Sequence, residues 1–158
     1  MTKSPSSENF SKQLTSEHHP LPSIDTRERV RYSDTDRMGI AHNKNYLEWF
    51  EIGRTEYCRL KGISYREIEE RGFFMVVAEA LCRYKKPLHY DEEFIIRVSL
   101  REASPKKVVF GYELLKVADE QLIAAGHTVH ITTNARAEVC SLPEDILNRL
   151  FGAKDEEI

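Results

Sequence analysis

Between residues 45 and 60 the chain spaces Tyr46, Leu47, Trp49, Phe50, Gly53, Tyr57 and Leu60 three and four positions apart, which gathers them on one stripe of an α-helix. The predicted helix is about 16 residues long, with Asn45 and Glu48 as a capping pair or Asn43 as a competing N-cap, and with Gly62 to end it. A stripe that rich in aromatic rings needs cover. Nearly everything that follows reads as strand. After a short helical piece over residues 64–72, "FFMVVAEALCRYKKP" is apolar on both parities, which predicts a strand covered on both faces. "EEFIIRVSLRE" sends Phe94, Ile96, Val98 and Leu100 one way and Arg97, Ser99 and Arg101 the other. "KKVVFGYELLKVAD" and "EQLIAAGHTVHITTN" add two strands around a turn at Asp119 and Glu120. Upstream, "TRERVRYS" alternates Val30 and Tyr32 with Arg27, Arg29 and Arg31, as a half-wet strand from Thr26 would. "LPEDILNRLF", opened by Pro143, predicts a short closing helix. One strand, one long helix and four strands on short turns imply an α+β fold, an antiparallel sheet wrapped around a long central α-helix. A doubly wound parallel sheet would need a helix between successive strands.

Residues 1–24, rich in Ser and Pro, read as a disordered lead-in, with His18 and His19 merely solvated, and residues 25–158 as one domain. At 158 residues a chain can bury a core without staples. A net charge of −3 offers no basic field to nucleic acid. Cys58, Cys82 and Cys140 lack C-x-x-C spacing, which argues against a disulfide framework and a zinc site. No apolar run suits a membrane span or a secretory signal, so a cytoplasmic protein is expected.

The chemistry is expected at "YSDTDRMGIAHNKNY", between the first strand and the helix. An EF-hand reading of "DTDRMG" fails, because Met38 and Asn45 stand where calcium ligands belong. An aspartyl phosphotransfer site would require a parallel sheet and phosphate loops that this pattern lacks. Two readings remain. Asp34 and Asp36 are turn and cap residues, or a carboxylate there works with the positive end of the helix, whose free N–H groups can hold an oxyanion while the acid attacks a carbonyl or activates water. Acyl transfer fits the second.

"RYSDTDRMGIAHNKNYLEWFEIGRTEYCR", with "CRYKKPLHYDEEF" and "REASPKKVVFGYEL", resembles the hotdog-fold acyl-CoA thioesterases of the 4-hydroxybenzoyl-CoA thioesterase type, from about Arg29 to Leu150. The resemblance implies that Asp36 is the catalytic carboxylate, that the Asn43 N–H polarises the thioester carbonyl, and that Asp34 is structural. Many relatives carry a histidine where this chain has Asn43, an amide that cannot act as a base. It leaves Asn43 to orient Asp36 or the carbonyl, or neighbouring His42 to substitute. Gly39 would let the backbone bend closely around the thioester. The resemblance further implies that Ser104, Lys106 and Lys107 meet coenzyme A phosphates, with Arg83 and Lys85 as weaker candidates; a solvated turn is the alternative. Tyr46, with Trp49, Phe50 and Tyr57, either lines an aryl pocket or is core. Glu79, in an apolar strand, is a second active-site acid or a paired structural one. His127 and His130 point to opposite faces and cannot share a metal. No metal or cofactor is expected beyond the coenzyme A of an acyl-CoA substrate, and the protein is expected to form a homodimer or homotetramer with interfacial sites. The function implied is thioester hydrolysis, with a non-catalytic acyl-CoA or acyl-carrier-protein binding module and a dehydratase as rivals.

Overall fold

The computed structural model describes residues 22–152. In chain order it contains β1 (Ser23–Arg29), a 3₁₀ turn (Tyr32–Asp34), α1 (Lys44–Leu60), α2 (Tyr65–Glu70), β2 (Phe74–Tyr84), β3 (Glu93–Ala103), β4 (Lys107–Lys116), β5 (Leu122–Thr133) and α3 (Glu144–Leu150). The five strands form one sheet in the order β1-β3-β4-β5-β2, antiparallel at every pairing. This is the expected α+β hotdog arrangement, with α1 against the inner face.

The helix stripe and the sheet interlock through rings. Phe50 stacks on Tyr112 of β4 with centroids 4.2 Å apart, Trp49 tilts onto Phe94 of β3 at 4.6 Å, and Tyr57 meets Phe110 edge-on at 5.6 Å. Such pairs add to the apolar area they hide. Gly53 brings the helix closest, since a Cβ there would stand 2.6 Å from the γ2 methyls of Ile96 and Val98.

Several expectations are corrected. The lead-in and its two histidines fall almost wholly outside the described residues, but Ser23 and Ile24, counted within it, already belong to β1. Val30 is buried past the end of that strand and Tyr32 is exposed in the 3₁₀ turn, because the chain leaves the sheet to reach the helix. Leu47 and Leu60 lie off the buried stripe. Asn45 does not cap α1; its side-chain amide instead donates to Asp34 O at 2.7 Å, and Asn43 holds the N-cap position without a side-chain bond. The largest correction concerns β2. It is an edge strand, exposed over most of its length, and its two-sided apolar pattern reflects an edge left open in the single chain.

His130 sits in the core on β5, fully buried. Tyr112 Oη, Thr128 Oγ1 and His130 Nε2 form a chain with spacings of 2.6 and 2.8 Å, and Nδ1 lies 3.4 Å from Met75 O. A neutral imidazole that accepts at Nε2 and donates at Nδ1 satisfies that chain. Burial first, and then the nearby Arg54 guanidinium, pushes His130 down to about 4. The unfolded ring titrates near 6.5, so stability should be level above about pH 6.5 and fall by about 2–3 kcal/mol as pH drops toward 4. Urea unfolding at a series of pH values checks this, and His130→Gln should remove most of the slope. Gly53→Ala raises helix propensity by about 1 kcal/mol, yet it should lower stability by about 1–3 kcal/mol because the added methyl overpacks β-branched neighbours. A gain in the urea midpoint would contradict the packing account.

Candidate active site

Two aspartates two positions apart do different jobs. Asp34 is buried at the end of the 3₁₀ turn, and its Oδ2 accepts from Arg31 N at 2.8 Å. Its carbonyl accepts from His42 N at 2.8 Å and from the Asn45 amide at 2.7 Å. Asp34 therefore staples the entering chain to the first turn of α1. Asp36 is exposed. Its Oδ1 accepts from Met38 N at 2.8 Å, the side-chain turn that aspartate favours, and its Oδ2 has no partner among the described residues.

The loop that carries Asp36 closes on itself. Asp36 N donates to Ile40 O at 2.9 Å and Gly39 N to Asp36 O at 3.0 Å. Gly39 has φ +75°, the left-handed region that glycine enters without penalty. Ala41 N donates to Leu88 O at 2.7 Å and Tyr90 N to Gly39 O at 3.2 Å, which pins the loop to the β2–β3 connection. The acid is thus held on a short, doubly anchored loop rather than a free tail.

Asp36, His42, Asn43, Tyr46 and Tyr84 line one open cleft of about 410 Å³. Asn43 begins α1 with helical backbone angles, and among the described residues nothing accepts from its N–H, as expected at a helix start. Lys44 N donates to His42 Nδ1 at 3.1 Å, so the His42 ring caps the helix and places any proton it carries on Nε2. Tyr84 Oη donates to Asn43 O at 3.2 Å, and its ring packs edge-on to Tyr46 with centroids 4.7 Å apart. Burial, then Cys82 and Tyr84 nearby, pushes the Tyr46 phenol up to about 12. It stays a neutral donor at physiological pH. The cleft therefore combines one carboxylate oxygen free to act, a helix-start N–H, and a phenol-lined wall.

Of the residues singled out from sequence, the fold brings Asp36, His42, Asn43, Tyr46 and Lys85 to this cleft and places Gly39 in its supporting loop. Glu79 stands outside this cleft and is paired, the second of the two readings its strand allowed. Its side chain is 60% exposed, 3.5 Å from His127 Nε2, because β2 is an edge strand and pairs Glu79 with Val129 beyond a bulge. Ser104, Lys106 and Lys107 lie at or beside the β3–β4 turn, where Ser104 N donates to Lys107 O at 2.8 Å. Lys107 pairs with Ile131 and Ile131 with Val76, the end of β2 opposite Tyr84, so within one chain they stand roughly 25 Å of strand from the cleft. Tyr84, Lys86 and Pro87 line the cleft unforeseen. The alternation of "LCRYKKP" already set Tyr84 on the parity of Cys82. Among the described residues no group of three or more His, Cys, Asp or Glu could hold a metal ion, and no helix is long and apolar enough to cross a membrane.

An antiparallel sheet wrapped around one long helix is the hotdog arrangement. Residues 30–150 match the thioesterase-like superfamily, and the chain belongs to that family. It is 35% identical over 124 residues to a protein of Aquifex aeolicus (strain VF5) named for esterase activity, covering 78% of this chain and 94% of that one. It is 38% identical over 96 residues to YneP of Bacillus subtilis (strain 168), named for acyl-CoA thioesterase activity, covering 61% and 70%. The crystal structure of a hypothetical Aquifex aeolicus protein superposes with TM-score 0.76 at 34% identity, over 80% of this chain and 98% of that one.

Asp34→Ala leaves the Arg31 N–H without its acceptor and should cost about 1–3 kcal/mol in urea unfolding. Asp34→Asn, which keeps an acceptor oxygen, should cost less. Equal losses would show that the hydrogen bond is not what Asp34 contributes.

Proposed function

We propose that the protein hydrolyses an acyl-CoA thioester to the free acid and coenzyme A. The observation that carries the reading is the convergence of the Asp36 carboxylate and the Asn43 helix start in one cleft. The thioester carbonyl oxygen points at the Asn43 N–H, where the partial positive charge of the helix start favours the developing oxyanion. Asp36 acts in one of two ways. As nucleophile it bonds to the acyl carbon, the C–S bond breaks, coenzyme A thiolate leaves and takes a proton, and water hydrolyses the resulting anhydride to free acid and carboxylate. As general base it draws a proton from water while the water oxygen attacks the same carbon, and that proton goes to the departing sulfur. Asn43 cannot supply a titrating group, so its backbone carries its role. His42, engaged at Nδ1 with the helix, orients that start.

We also infer a homodimer, or a tetramer built from one, through β2. Val76 and Val77 are 47% and 45% exposed on an unpaired edge, which invites pairing with another strand. Antiparallel self-pairing by a two-fold axis sets the start of one β2 beside the end of the other. The Ser104–Lys107 turn of one protomer then approaches the Asp36 cleft of the other, close enough to meet coenzyme A phosphates.

Asp36→Asn should lower kcat for thiol release by about 10²–10⁴-fold with near-normal stability and acyl-CoA binding. Equal background release from wild type and variant, despite binding, would favour the binding module; loss of water from a 3-hydroxyacyl thioester without thiol release would favour a dehydratase. Val77→Lys should shift the sedimenting species to the monomer, and a monomeric wild type would contradict the β2 interface.

A further inference from the structure

The outer face of the sheet, turned away from α1, carries a second concavity of about 270 Å³ lined by Leu81, Arg83, Arg101, Ala125, Gly126 and His127. The pairing explains the gathering. Arg83 is opposite Ala125, Leu81 opposite His127, and His127 opposite Gly111, so their side chains share the outer face on three adjoining strands, where Arg101 joins them from β3. Gly111 makes room, because a Cβ there would collide with Nε, Cζ and Nη2 of Arg101. The guanidinium therefore lies over the bare backbone of β4 at Gly111.

The charge balance is uneven. Most outer-face arginines on the β1 side have acids, as Arg97 has Asp25 at 2.9 Å and Arg27 has Glu93 at 2.8 Å. Neither Arg83 nor Arg101 forms an ion pair among the described residues; the acids beside the group are Glu79, 3.5 Å from His127, and Glu113, opposite Ala125. Two guanidinium forks beside an imidazole, in a concavity floored by glycine backbone, suit a phosphate group, which accepts paired N–H donors in plane.

We propose that this outer-face concavity binds a phosphate-bearing ligand, with Arg83 and Arg101 as its donors and Gly111 as the position that lets Arg101 reach it. The site adjoins the catalytic cleft through β2, whose Tyr84 and Lys85 line the inner cleft directly after Arg83. Three residues, about 10 Å of strand, separate Leu81 from Tyr84. The phosphate is the 3′-phosphate of coenzyme A, its diphosphate being left to the Ser104–Lys107 turn, or a phosphate of a free nucleotide. The first source rests on the hydrolase reading above.

Calorimetric titration with adenosine 3′,5′-bisphosphate tests the site without any turnover. Wild type should bind it, and Arg101→Gln, Arg83→Gln and Gly111→Ala should each weaken binding at least fivefold. Gly111→Ala removes no charge, and thermal unfolding of each variant verifies that it is folded. KM for an acyl-CoA and for the matching N-acetylcysteamine thioester then separates the sources. A rise in KM confined to the acyl-CoA identifies the coenzyme A nucleotide, and weakened bisphosphate binding with both KM values unmoved identifies a separate nucleotide. Bisphosphate that fails to bind wild type, or binds all folded variants equally, overturns the proposal. Bisphosphate binding intact while no acyl-CoA releases thiol would leave this site standing and sink the hydrolase reading.

Discussion

The structure depends on burial of the aromatic stripe of α1 against the inner face of the sheet. Phe50 on Tyr112 and Trp49 on Phe94 fix the helix over β3 and β4, and Gly53 lets it settle against Ile96 and Val98. Because those contacts fix the axis of α1, they also fix where its first turn points. The site inherits its geometry from the core.

What remains to be placed is the acid, and the chain does so within a few residues of the helix. Asp34 spends both its carboxylate and its carbonyl on backbone and amide donors, so it is committed to shape. Asp36 uses one carboxylate oxygen to close its turn, and its other oxygen has no partner among the described residues. Two identical side chains differ in role because one is buried at a staple and the other sits on the exposed loop it holds. The helix start adds an N–H with no acceptor among the described residues, and Tyr84 ties the Asn43 carbonyl to the end of β2. Core, corner and edge strand meet there.

The α+β order and the long helix were legible in the sequence because period 3.6 and period 2 both leave strong marks, and Asp36, Asn43 and Tyr46 came with the motif. What was illegible depended on neighbours outside the pattern. The apolar parities of β2 could not distinguish a central strand from an open edge, since both require apolar side chains on two faces once a partner is counted. The two readings of Glu79 stayed open for the same reason, until the fold set it beside His127. Ser104, Lys106 and Lys107 carried the right chemistry for phosphates, but only register shows them at the far end of the sheet from Tyr84. The pairing of Arg101 with Gly111 was invisible because the two residues are adjacent only across strands.

The central claim is that the α1 start polarises the carbonyl that Asp36 acts upon. The most direct measurement is the carbonyl stretch of a ¹³C-labelled acyl-CoA bound to Asp36→Asn, read by isotope-edited infrared difference spectroscopy. A clear shift to lower frequency relative to the free thioester is the predicted result, since hydrogen bonding from the helix start weakens the C=O bond. A bound carbonyl that absorbs where the free thioester does would contradict the account.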